Sequence, residues 1–108
     1  MSGSLGQDAN SVELSGTLVE LGALRYTPAG LPAVEFRILH ESELAEAGTQ
    51  RKVRAEVSAL AFDALARQVA AAALGTALKA KGFLAAKSRR STKLVMHVTD
   101  IEFMEGAV

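Results

Sequence analysis

Apolar and polar residues alternate along five segments of the chain, and a sixth segment follows a helical spacing. The alternation, rich in β-branched residues, predicts half-buried strands at 11–21, 33–40, 51–58, 78–84 and 94–98. After the last of these, apolar positions resume at Ile101 and Phe103, which indicates a slip in register. Gly16 falls on the apolar side of the first strand, where the missing side chain permits the sharp bend that a small barrel needs.

Residues 59–74 change from a period of two to a helical period. The apolar residues that share one helical face there are Phe62, Leu65, Val69 and Ala73. Gly75 is predicted to form the C-terminal cap of this helix. The segment 22–32 contains two prolines and two glycines and predicts an irregular loop. The acidic segment 41–50 predicts a solvated tip that turns at Gly48.

Three strands, one helix and two strands, in that order, predict an all-β fold. With the inward glycine, they suit a five-stranded, partly open OB-fold barrel, whose one helix lies between strands 3 and 4 and plugs an end. OB domains bind oligonucleotides on a face bounded by the loops that join strands 1 to 2 and 4 to 5. Residues 10–105 are predicted to form this one domain, after a disordered tail at 1–9.

Composition limits the possible functions. Nearly half of the 108 residues are apolar, as in a single globular domain, and the absence of cysteine excludes disulfides and thiolate metal sites. The longest apolar run, residues 69–74, is too short to cross a membrane, and the N-terminal residues lack a signal-peptide pattern. We therefore expect a soluble cytoplasmic protein with no membrane partner, associated with the nucleoid if it binds DNA.

The net charge of zero hides a strong separation of charge. Residues 79–93 hold six of the twelve basic side chains and no acidic one, whereas residues 1–63 hold five basic and nine acidic side chains. Arg25 lies in the first of the two predicted binding loops, and the cluster at 87–93 lies in the second. A concentrated positive field beside hydroxyl groups predicts a nucleic-acid partner. The alternative is a solvated hairpin whose charges serve solubility.

Catalytic chemistry finds no support in the sequence. His40 and His97 are not at metal-ligand spacing and are expected to be ordinary strand residues. A magnesium site at Glu41, Glu43 and Glu46 is less plausible than a solvated tip. Phosphate-binding glycine loops and nucleophile elbows are absent as well. We therefore predict a protein that is not an enzyme and needs no metal or cofactor.

Three segments resemble one family: NSVELSGTLVE at 10–20, RYTPAGLPAVEFRILHES at 25–42 and KGFLAAKSRRS at 81–91. They are similar to primosomal replication protein N, the PriB family of the single-stranded DNA-binding protein superfamily. The resemblance implies a homodimer that binds single-stranded DNA without sequence preference. It also implies that the protein stimulates the PriA helicase in replication restart and works with a DnaT-like primosome component. The ending EGAV lacks the acidic, Phe-tipped tail of ordinary single-stranded DNA-binding proteins, which favours the PriB family.

The family places basic DNA contacts in the first loop and in the hairpin of strands 4 and 5. The matching positions here are Arg25, Lys87, Arg89, Arg90 and Lys93. Four further cations are expected to help: Arg37, Arg54, Lys79 and Lys81. Tyr26 and Phe83 are the candidate rings for base stacking, whereas Phe36, Phe62 and Phe103 are expected in the core.

Two positions depart from the family pattern. Some PriB proteins carry stacking aromatics where this chain has Thr49 and Arg54. Binding is therefore expected to depend on phosphate contacts and on salt, with the Arg54 guanidinium group able to lie flat on a base. The same shortage of rings keeps open a second hypothesis, in which the protein is a primosome adaptor. Its basic hairpin would then dock mainly on a protein partner and bind DNA weakly.

Overall fold

Six strands and one helix follow one another along residues 8–104, the part of the chain that the computed structural model describes. Their bounds are β1 (Val12–Leu21), β2 (Arg25–Tyr26), β3 (Pro32–Glu46), β4 (Thr49–Phe62), α1 (Ala64–Ala70), β5 (Ala77–Ala86) and β6 (Leu94–Phe103). Residues 1–7 of the predicted tail, the predicted domain end at Glu105 and the last three residues lie outside the described part.

The barrel closes on β1, because this strand pairs with two neighbours. Its first part, from Val12 to Thr17, pairs antiparallel with β5, and its second part, from Thr17 to Leu21, pairs antiparallel with β3. β3 pairs with β4, β5 pairs with β6, and a short parallel pairing joins β4 to β6. The five long strands therefore form a closed OB-fold barrel. The predicted five-stranded OB-fold barrel, with its one helix between the third and fourth long strands, is therefore confirmed, and the parallel pairing closes it.

The inward positions of the strands fill the barrel as their alternation predicts. Val34, Phe36 and Ile38 of β3 are buried, and their polar neighbours face outward. The largest fully buried side chains are Leu18, Val34, Ile38, Val69, Leu78 and Met96. Phe103 is half-buried and packs against this core, so its predicted core position is confirmed.

Two irregularities predicted from the sequence are present. At Gly16, β1 turns from β5 toward β3, and a Cβ atom there would overlap the Leu39 carbonyl oxygen. In β6, Val98 pairs with Gly82 of β5, while Asp100 pairs with the preceding β5 residue, Lys81. Thr99 is therefore an extra residue, and it forms a bulge. This bulge is the slip that the apolar pattern predicts before Ile101.

The predicted loop at 22–32 contains a short strand. β2 pairs antiparallel with the start of β3, which puts Arg25 opposite Ala33 and Tyr26 opposite Pro32. A turn follows β2 at Thr27, where the Gly30 N–H donates to the Thr27 carbonyl oxygen at 2.8 Å. This loop is therefore anchored to the barrel.

The helix is much shorter than the predicted 59–74, since residues 59–62 continue β4. Phe62, predicted in the core, is 37% exposed because the strand period turns it outward. The helix cap is Ala71, so the predicted cap at Gly75 is wrong. Gly75 has a positive φ of 90° and donates its N–H to the Leu18 carbonyl at 2.7 Å, which leads the chain into β5. Within residues 8–104, no helix has the length and apolar character needed to span a membrane.

The acidic tip at 41–50 is solvated and turns at Gly48 as predicted, but its two sides form a paired ribbon that extends the strands beyond their predicted ends. β3 and β4 remain paired up to Glu46 and Thr49, with the turn at Ala47 and Gly48 between them. Both turn residues have positive φ, 51° and 78°, which is the geometry of a tight type I′ hairpin. Glu46 and Glu41 form ion pairs across the ribbon with Arg51 and Arg54.

We expect Ala47→Asn to stabilise the ribbon by about 0.5–1 kcal/mol, because asparagine tolerates the left-handed backbone better than alanine does. The measurement is urea unfolding combined with hydrogen exchange at the ribbon amides. Ala45→Asn is the control, since this residue lies in an ordinary strand position of the same ribbon. Faster exchange in the Ala47 variant than in the wild type would contradict the turn assignment.

Candidate nucleic-acid interface

A groove of about 1090 Å³ runs across the outer face of β3, β4 and β6. One wall is formed by the end of β1 and by β2, which contributes Arg25. The opposite wall is formed by the end of β5, the start of β6 and the loop between them, which contributes Lys87 and Lys93. The two loops that the sequence predicts as the borders of the binding face therefore lie on opposite sides of one groove.

A row of side chains from neighbouring strands lies on this face, and three of them, Glu35, Leu60 and His97, line the floor of the groove. Glu35 of β3 is the register partner of Leu60 of β4, and Leu60 is the partner of His97 of β6. His97 in turn is the partner of Phe83 of β5. The centre of the row is apolar and aromatic, which suits the faces of nucleic-acid bases more than their phosphates.

The arginines of the groove are paired with carboxylates. The Nη2 atom of Arg25 lies 3.1 Å from Glu35 Oε2. The Nε atom of Arg37 lies 3.0 Å from Glu20 and 3.8 Å from Glu56. The groove lining contains four cationic side chains, these arginines with Lys87 and Lys93, and three glutamates, which leaves a net charge of +1. The groove itself is therefore nearly neutral.

The concentrated positive charge lies in the loop between β5 and β6, which we call the basic loop (residues 87–93). The Lys87 N–H donates to the Lys93 carbonyl at 2.9 Å, and the Lys93 N–H donates to Ser91 Oγ at 3.0 Å. Arg89 and Arg90 project into solvent at its tip. Across residues 8–104, no carboxylate forms an ion pair with the four cations of this loop.

Four other predicted contact residues lie outside the groove. Lys79 and Lys81 of β5 lie 3.3 and 3.8 Å from the carboxylate of Glu13 on β1. Arg54 is on the ribbon, 3.5 Å from Glu41, and Thr49 is on the same strand. Tyr26 is 58% exposed on β2. DNA contact by these residues stays a prediction, as it does for the predicted contact residues of the groove and of the loop.

A cluster of rings lies where the sequence predicts only Phe83. The imidazole of His97 stacks on the Phe83 ring, with centroids 5.0 Å apart and planes 16° apart. The Phe62 ring lies 6.2 Å from His97 on its other neighbouring strand, β4. From the sequence alone, His97 is expected to be an ordinary strand residue and Phe62 a core residue. The signal that could have found them is their outward parity on β6 and β4, combined with the bulge that sets the register.

The second histidine, His40, forms hydrogen bonds that stabilise the fold. His40 Nδ1 donates to the Ser15 carbonyl at 2.7 Å, and its Nε2 lies 2.8 Å from Ser42 Oγ. The ring therefore links β3 to β1 where the two strands separate. Among the described residues, no three or more His, Asp or Glu side chains are grouped as metal ligands.

Comparisons with known proteins agree with this architecture. A family model for "another single-strand binding protein family" matches residues 10–100. Replication restart protein PriB of Bordetella pertussis is 42% identical over 99 residues, which cover 92% of each chain. The protein PriB from Ralstonia solanacearum, whose three-dimensional structure is solved, is 36% identical with a TM-score of 0.81 over 91% of this chain and 100% of that one. The single-stranded DNA binding protein of Thermus aquaticus, 22% identical with a TM-score of 0.74 over 91% of this chain and 51% of its own, shares the fold.

The barrel, the groove and these matches define a member of the single-strand binding protein family. Within that family the chain belongs with the replication restart proteins PriB.

Proposed function

We propose that this protein binds single-stranded DNA without sequence preference, with the phosphates at the basic loop and the bases on the groove floor. The observation that carries the proposal is the position of the basic loop at the edge of a nearly neutral groove, whose floor contains Leu60 and the His97 ring that stacks on Phe83. Phosphate contacts supply affinity that is independent of sequence. Stacking is also tolerant of sequence, since every base has a flat face.

The family membership supports a place in replication restart. The relatives carry the name replication restart protein PriB, and we propose that this chain stimulates the PriA helicase and works with a DnaT-like component. We further propose a homodimer. The edges of the ribbon, residues 41–46 and 49–54, have no further strand partner in the described structure, and a symmetric copy could cover them. Light scattering at micromolar concentration tests the dimer, and a monomer would exclude it.

The experiment that tests DNA binding is fluorescence anisotropy with a labelled homothymidine strand of about 35 nucleotides at several salt concentrations. Each neutralised phosphate contributes about −0.7 to the log–log salt slope for single strands. We expect a slope of about −2 to −4, because the basic loop carries four cations. Failure to bind even at low salt would reject the proposal.

The adaptor hypothesis is the second candidate, and one observation favours it. Arg25 and Arg37 are held by glutamates, so most of the available positive charge is on the basic loop, a small surface that can also dock on an acidic protein. Helicase binding in the absence of DNA, measured with basic-loop variants, separates the two functions. If the protein is an adaptor, neutralising the basic loop abolishes its binding to the helicase. Its weak DNA binding then contributes nothing to the stimulation of helicase activity.

We expect His97→Ala to lower the affinity for the homothymidine strand by about 5- to 100-fold, because one base stacks on the His97–Phe83 pair. The salt slope should stay unchanged, since no phosphate contact is lost. Val95→Ala is the matched control, as it removes apolar surface from the same strand and groove without removing a ring. Equal losses in the two variants would show that the ring itself contributes nothing.

A further inference from the structure

Three carboxylates lie in the groove beside its arginines. Glu35 pairs with Arg25, while Glu20 and Glu56 flank Arg37. Their side chains are 49% to 69% exposed, so a ligand in the groove meets them directly. Together they offset most of the positive charge that the groove lining contains.

Single-stranded and double-stranded DNA present different chemistry to such a surface. A duplex keeps its bases stacked inside and turns its phosphates outward, so a duplex in the groove brings phosphate oxygens toward the carboxylates. A single strand can turn its bases toward Leu60 and the His97–Phe83 pair, and leave its phosphates near the basic loop. The like charges oppose the first arrangement much more than the second.

We propose that Glu20, Glu35 and Glu56 are specificity-determining residues that exclude double-stranded DNA from the groove. The proposal rests on the proposed function, since it assigns the selectivity of the same groove. It also gives the ion pairs a role. Held by carboxylates, the guanidinium groups of Arg25 and Arg37 attract a passing phosphate less than isolated cations do, yet they still present flat surfaces to bases.

The test is the triple variant Glu20→Gln, Glu35→Gln and Glu56→Gln in the full chain. Glutamine keeps the size of each side chain and an oxygen that accepts hydrogen bonds from the arginines. Affinities are measured for a labelled homothymidine strand of about 35 nucleotides and for a labelled duplex of the same length, over several salt concentrations. We expect duplex affinity to rise at least about tenfold and single-strand affinity to rise about threefold or less.

The matched control removes the same three charges from the ribbon, as Glu41→Gln, Glu43→Gln and Glu46→Gln. Glu41 and Glu46 also pair with arginines, Arg54 and Arg51, so the control loses the same kind of contact and changes the net charge equally. We expect it to shift single-strand and duplex affinities by a similar, small factor. The duplex salt slope should steepen by about −0.9 for each new phosphate contact in the groove variant only.

The outcomes separate the two proposals. If the wild type binds the single strand and the groove variant keeps the wild-type ratio of duplex to single-strand affinity, the carboxylates do not determine specificity. The same conclusion follows if the ribbon control changes that ratio as much as the groove variant does. If the wild type does not bind the single strand at low salt, the proposed function and this inference both fail.

Discussion

Reversing the charge of Arg89 and Arg90 together is expected to lower the affinity for single-stranded DNA by about 10- to 100-fold at low salt. These two side chains lie at the tip of the basic loop, where solvent surrounds them and phosphates can approach without displacing a carboxylate. Losing two phosphate contacts should also make the log–log salt slope shallower by about 1.4. Fluorescence anisotropy measures both changes. Thermal unfolding should be unaffected, because the loop residues are outside the core.

The matched control is Lys52→Glu with Arg67→Glu. Both are exposed cations outside the groove, one on the ribbon and one on α1, and neither forms an ion pair within residues 8–104. The control therefore changes the net charge as much as the loop variant does. If the two variants lose affinity equally, the protein attracts DNA through its overall charge, and the basic loop has no special part.

Gly16→Ala is expected to destabilise the barrel by about 2–4 kcal/mol. The new Cβ atom would lie 2.6 Å from Ile38 Cγ2 and would overlap the carbonyl oxygen of Leu39. Both neighbours are on β3, at the place where β1 leaves β5 and begins to pair with β3. The overlap with backbone cannot be relieved by a rotamer change, so the strands must separate. Urea unfolding gives the free energy, and circular dichroism confirms whether the variant folds.

Ser15→Ala is the control for this effect, because Ser15 is the exposed neighbour on the same strand. We expect it to change the free energy of unfolding by less than about 0.5 kcal/mol. A Gly16 variant as stable as this control would mean that β1 and β3 are farther apart than the structure has them. Should the Gly16 variant fail to fold, the result agrees with the expected clash, and hydrogen exchange in the Ser15 variant still tests the local pairing.

The strand order could be predicted because each strand carries its own period of two. Val34, Phe36 and Ile38 alternate with polar residues, and that local pattern settles which face is buried. The inward glycine and the slip before Ile101 are local signals too. The sequence predicts a helix at 59–62 because alanine favours helices and Phe62 continues a helical spacing. Pairing with β3 overrides this preference, since Ala59 and Ala61 fit the crowded interior of the barrel.

The part of the candidate site formed by residues that are close together in the sequence, such as the cations of the basic loop, could be predicted. The part that depends on neighbours across strands could not be predicted. Arg37 meets Glu20 and Glu56, which are distant in sequence and are brought together by two separate strand pairings. The His97–Phe83 stack likewise needs the register of β5 against β6, which a one-residue bulge shifts.

The shortest strand pairing in the barrel is the parallel one between β4 and β6, which consists of Ala59 with Met96 and Leu60 with His97. The floor of the groove crosses this pairing. An oligonucleotide that contacts the strands on both sides of this pairing would link β3 and β4 to β5 and β6 from outside the barrel. Because such a ligand binds only the folded barrel, it raises the free energy of unfolding. The protein is then most stable while the oligonucleotide is bound.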